Sequence, residues 1–105
     1  MRLEHTGLVV QEMDKAVAFY RDVLGLRIVR RLDAEAPATG DHTAFQNAHR
    51  LLILLQHPDG GHTLELVKYL HPSSPGSHLD RHQLGVMHLC FSVDDLDRIY
   101  KELTA

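Results

Sequence analysis

A single cysteine, Cys90, stands in 105 residues. One thiol excludes an internal disulfide and fits a reducing compartment. Long apolar runs are missing as well, and no stretch approaches the roughly 20 residues that span a bilayer. The opening, MRLEHTGLVV, carries one basic residue, and no small-residue cleavage site follows its short apolar stretch. No secretory signal and a cytoplasmic location are therefore expected. Net positive charge is absent too: the formal charge is -3, with Lys and Arg scattered along the chain, which argues against a nucleic-acid footprint. What remains is ordinary for a globular protein, 44% hydrophobic and 24% charged residues, in a length that supports one domain with one small core. The surplus is in histidine, of which there are nine.

The periodicity predicts an α+β chain. Residues 3–10 read as a strand. Asp14 is placed to cap a helix running to about Leu24, with Ala16, Val17, Tyr20, Val23 and Leu24 on one face and Gly25 as a left-handed stop. A second strand is expected over 26–33, a mostly irregular segment over 34–49, and buried or half-buried strands over 50–56 and 62–69. The turn Pro58-Asp59-Gly60-Gly61 separates the last two. The prolines, glycine and serines of 71–83 read as a linker.

After the linker the pattern restarts. With His5 set against His88, an offset of 83, Leu3 matches Val86, Leu8 matches Phe91, Val10 matches Val93 and Met13 matches Leu96. Leu96, Ile99, Tyr100 and Leu103 again mark one helix face. The expected organisation is a βαβββ module over 1–70, a linker over 71–84, and the strand and helix of a second, incomplete module over 85–105.

Side chains alternate across a strand, and the rows carry the chemistry. His5, Gly7 and Val9 share one side of the first strand. Thr63, Glu65, Val67 and Tyr69 share one side of the fourth. Val86, His88, Cys90 and Ser92 share one side of the strand after the linker. Each row holds a metal-ligand type among small or apolar neighbours, and no Lys or Arg stands in the row of Glu65. A buried carboxylate needs a cation or a metal, and two imidazoles with one carboxylate suit a divalent ion with open positions. The alternatives are a hydrogen-bonded core histidine for His5 and an edge charge for Glu65. His42, His49 and His57 read as loop or loop-side residues, and His71, His78 and His82 as solvated linker. His62 falls on the opposite side from Glu65. Cys90 reads as a small filler. Tyr69 is a candidate for the mouth of the site, and Arg30, Arg31 and Lys68 for contact with an anionic substrate.

Three stretches carry a family resemblance. The first runs from His5-Thr6-Gly7-Leu8-Val9-Val10 through Met13-Asp14-Lys15-Ala16 to Phe19-Tyr20-Arg21-Asp22-Val23-Leu24-Gly25-Leu26. The second is Gly61-His62-Thr63-Leu64-Glu65-Leu66-Val67. The third is Gly85-Val86-Met87-His88-Leu89-Cys90-Phe91-Ser92-Val93-Asp94-Asp95-Leu96-Asp97. Together they resemble the vicinal oxygen chelate superfamily, which includes glyoxalases, bleomycin-resistance proteins and extradiol dioxygenases.

The resemblance implies paired βαβββ modules forming a funnel around one metal, with His5, Glu65 and His88 in the first three ligand positions. The ion would be divalent (Zn, Ni, Co, Mn or Fe). A fourth ligand, usually a glutamate that also moves the substrate proton, is expected beyond Ala105. The catalytic base is therefore unassigned, with Glu65 as a candidate. The implied activity is that of a glyoxalase-like lyase or an isomerase or epimerase, acting on a small molecule such as a thiol conjugate or thioester through a metal-stabilised enolate or oxyanion. Weak activity at best is expected of this chain by itself. A homodimer is the expected assembly, with neither nucleic acid nor membrane as partner. The alternatives are a non-catalytic binding module like the bleomycin-sequestering proteins, and an interaction domain in which the histidines are structural.

Overall fold

The computed structural model describes residues 1–76 and 79–105, so the expectation for His78 lies outside the described residues. The chain divides into two compact units, Met1–Ser74 and Pro75–Ala105.

The first unit contains strand β1 (His5–Val9), helix α1 (Met13–Val17) with a π-helical continuation over Ala18–Val23, and strands β2 (Arg27–Glu35), β3 (His49–Gln56) and β4 (Thr63–His71). This is the βαβββ order expected for 1–70. The strands form one mixed sheet in the order β1-β4-β3-β2, with β1 parallel to β4 and the other pairs antiparallel. The central strands β3 and β4 hold the longest apolar runs, LLILL in β3 and leucine and valine around Glu65 in β4, and most of the buried strand residues. β2 carries exposed arginines at Arg30 and Arg31, and charge on an edge strand discourages further pairing.

The register assigns the faces. Leu55 lies opposite Leu64 and Ile53 opposite Leu66, so these four share one side. Leu54 lies opposite Glu65, Leu52 opposite Val67 and Arg50 opposite Tyr69 on the other. Leu55 and Leu66 are fully buried, and Met13 and Val17, one turn apart on α1, are nearly so. α1 covers the Ile53 side, since a cleft is lined jointly by Met13, Leu51, Ile53 and Lys68. Full burial of a leucine contributes about 1.5–3 kcal/mol, so this layer is the main anchor of the unit.

Two helix expectations are corrected. The residue before α1 is Glu12, without a side-chain cap bond, and Asp14 stands inside the first turn, where a negative charge suits the helix dipole. The α-helical spacing also fails after Val17. Leu24 N–H donates to the Phe19 carbonyl at 3.1 Å, five residues back, and this wider turn rotates Val23 out to 55% exposure. Gly25 ends the segment as expected, at φ +79°, while Leu26 N–H reaches back to the Tyr20 carbonyl at 2.9 Å.

In the second unit, α2 runs over Leu96–Thr104 and starts at the position equivalent to Met13 by the 83-residue offset. Its cap is Asp95, whose carboxylate accepts from the Arg98 N–H at 3.0 Å. The strand expected over 86–93 forms no ladder among the described residues. A strand is defined by its partner, and none of the described strands pairs with this stretch.

Candidate metal site

β1 and β4 bring two of the three expected ligand residues together. Their parallel register sets His5 opposite Thr63 and Gly7 opposite Glu65. His5 Nε2 lies 3.8 Å from Glu65 Oε2. Gly7 leaves the neighbouring space open, since a methyl group built there would only touch Glu65 Oε1, at 3.8 Å. The Glu65 side chain is 20% exposed, and His5 is its ion-pair partner among the described residues.

The other ring nitrogen of His5, Nδ1, is hydrogen-bonded to the Glu4 carboxylate. That bond is the main reason the His5 pKa is raised above its ordinary 6.5, against a smaller opposing effect of burial, and Glu65 adds to the rise. A carboxylate on Nδ1 that leaves Nε2 turned toward a second ligand is the arrangement that orients metal-bound histidines. Two donors at roughly 2.0–2.2 Å from one ion stand no more than about 4.4 Å apart. The 3.8 Å separation of His5 and Glu65 falls inside that limit, so the pair fits a divalent ion. His88 is exposed and belongs to the second unit.

The remaining expectations divide. His62 stands on the side away from Glu65, bonded to Thr6 Oγ1 at 2.7 Å and near the Leu3 carbonyl at 3.3 Å. Thr63, beside the site, is buried and accepts a hydrogen bond from Gln56 Nε2 at 2.6 Å. Tyr69 faces the Glu65 side and packs edge-on against Phe45, ring centres 6.5 Å apart. Cys90 is exposed rather than a buried filler.

A second cluster was not read from the sequence. One donor atom each from Asp33, Glu35 and His49 lies within 4.8 Å of the others, and His49 Nε2 is 2.6 Å from Asp33 Oδ1. Glu35 is directly opposite His49 across β2 and β3, and Asp33 is opposite Leu51, on the α1 side of the sheet. The signal was an acidic pair two apart in a strand, but β2 was expected to end at 33 and β3 to begin at 50. The cleft of about 800 Å³ under α1 also opens on this side, with Lys15, Arg31, Asp33 and Lys68 on its rim. Arg31 and Lys68, two of the three candidates for an anionic substrate, therefore stand on the opposite face from Glu65.

Comparison with known proteins agrees with the resemblance. The Glyoxalase/Bleomycin resistance protein/Dioxygenase superfamily matches residues 2–105, and the chain belongs to that superfamily. Its curated relatives include the mitochondrial methylmalonyl-CoA epimerases of mouse, 28% identical over 102 residues, and of human, 26% identical over 102 residues. These matches cover 97% of this chain but 51% and 52% of the relatives, so the chain spans about half their length. A glyoxalase family protein from Bacillus cereus superposes over 99% of this chain and 70% of its own, with TM-score 0.84 and 26% identity. Trypanothione-dependent glyoxalase I of Leishmania major shares the fold at TM-score 0.70 and 19% identity, over 99% of this chain and 65% of its own. Among the described residues no helix is long and apolar enough to cross a membrane.

Proposed function

We propose that this chain supplies the first metal-binding half of a glyoxalase- or epimerase-like enzyme. His5, Glu65 and His88 would hold one divalent ion. The observation that carries the reading is the meeting of His5 and Glu65 at 3.8 Å, with the far side of the imidazole held by a carboxylate. A bound divalent cation supplies Lewis-acid polarisation of a substrate carbonyl. The chain's residues do the rest. Glu4 orients the His5 ring, Gly7 leaves room beside Glu65, and the Glu65 carboxylate is a candidate to take a substrate proton. The likeness to the epimerases favours a thioester, and the likeness to glyoxalase I favours a thiol conjugate. A cytoplasmic homodimer completes the proposal.

Metal analysis of the purified protein beside His5→Ala, Glu65→Gln, His88→Ala and His49→Ala tests it. One equivalent of metal in wild type and in His49→Ala, with loss in the other three, is expected. Loss in His49→Ala with retention in His5→Ala would transfer the metal to the Asp33, Glu35 and His49 cluster and overturn the assignment.

A further inference from the structure

Arg50 is the one charged side chain on the Glu65 face of β3. It stands opposite Tyr69 on β4, two side-chain positions beyond the register of Leu54 and Glu65. At about 3.3 Å per residue, four residues set it roughly 13 Å along the strand from Glu65. Between them on the same side lie Leu52 and Val67, both buried apolar residues.

The arginine is itself buried, with only 11% of its side chain exposed. Its Nε is inaccessible and has no hydrogen-bond partner among the described residues. The nearest carboxylate, Asp41, is 3.9 Å from a terminal nitrogen, beyond hydrogen-bond reach. Asp41 is committed elsewhere. Its Oδ1 accepts from both the backbone N–H and the hydroxyl of Thr43, which holds its pKa below the usual carboxylate range and keeps it ionised. A buried donor left without a partner is costly, the more so when it is charged, so the guanidinium is under-satisfied where it stands.

We propose that Arg50 recognises a carboxylate at the far end of an extended substrate whose other end is held at the Glu65 end of the face. This rests on the proposed function and names the substrate class for the same site. A guanidinium fork matches the two oxygens of a carboxylate. The local balance favours a singly charged anion. Asp41 stays ionised beside the guanidinium, so a monocarboxylate meets less repulsion there than a dianionic phosphate. The apolar Leu52 and Val67 suit a hydrocarbon stretch between the two ends.

The experiment uses the full chain stripped of metal with a chelator, so that its outcome does not depend on which residues bind metal. Hexanoate, hexanamide and inorganic phosphate are titrated while the Arg50 Nε–H resonance is followed by NMR. Hexanoate is expected to shift that resonance and to bind at least tenfold more tightly than hexanamide or phosphate. Arg50→Gln removes the binding, and Arg50→Lys keeps only part of it. Asp41→Asn, which retains the turn with Thr43 but removes the competing charge, tightens hexanoate binding severalfold and remains informative if the Arg50 variants fail to fold. Equal affinity for hexanoate and hexanamide, or no tightening in Asp41→Asn, overturns the proposal. Phosphate binding more tightly than hexanoate overturns the carboxylate assignment.

Discussion

Residues 3–24 and 86–103 are written in nearly the same pattern, yet only the first is built into a sheet. β1 closes a five-residue ladder with β4, and the helix after it buries Met13 and Val17. The equivalent stretch at 86–93 has no ladder among the described residues, and α2 buries no residue. α2 forms all the same, starting at the matching position, because its Asp95 cap and its Arg98–Glu102 pair are local. Helices carry their hydrogen bonds within themselves, and strands borrow theirs from a neighbour. In this chain the strand signal is a request for a partner.

The largest expected effect separates the two units by their cores. Leu66→Ala, at a fully buried position, should destabilise the protein by about 2–5 kcal/mol in denaturant unfolding, and Leu103→Ala by no more than about 0.5 kcal/mol. A comparable loss at Leu103 would mean that α2 is anchored as firmly as α1 and would erase the contrast. A smaller effect is expected at the cap of α2. Asp95→Ala should weaken that helix by about 1 kcal/mol, seen as faster amide exchange in 98–104, while exchange in β3 and β4 stays unchanged. Slower exchange at 86–93 than in β4 would contradict the comparison from the other side.

The third effect is a shift in pH. Glu4 raises the pKa of His5, and a histidine must be neutral to bind metal. Metal affinity should therefore fall, as the solution is acidified, through a pH above the ordinary 6.5 of histidine. Glu4→Gln removes the bond that holds the proton and should move that fall to lower pH. Metal titrations between about pH 5 and 8 read the displacement. An unchanged or upward-moved midpoint in Glu4→Gln would count against His5 as a ligand.

Much of this fold was legible in the residues. Period-two rows put His5 with Gly7 in one strand and Glu65 with Thr63, Val67 and Tyr69 in another, and the register sets Gly7 beside Glu65. Gly25 announced the end of the helix. What escaped was set by tertiary context. Val23 was expected inward from α-helical spacing, but the π-turn carries it outward. β2 and β3 extend past their expected ends to Glu35 and His49, and those added residues close the Asp33, Glu35 and His49 cluster. Arg50 falls in an expected strand, and its neighbour Asp41, like Phe45 against Tyr69, comes from the 36–48 segment. No local spacing reports such a contact.

The proposed metal ligands are His5, Glu65 and His88. A zinc titration followed by NMR of the histidine ring nitrogens in the intact protein tests them. The Nε2 signals of His5 and His88 are expected to shift together and saturate at one equivalent, while the ring of His49 stays where it is. Saturation at His49, with His5 and His88 unmoved, would contradict it.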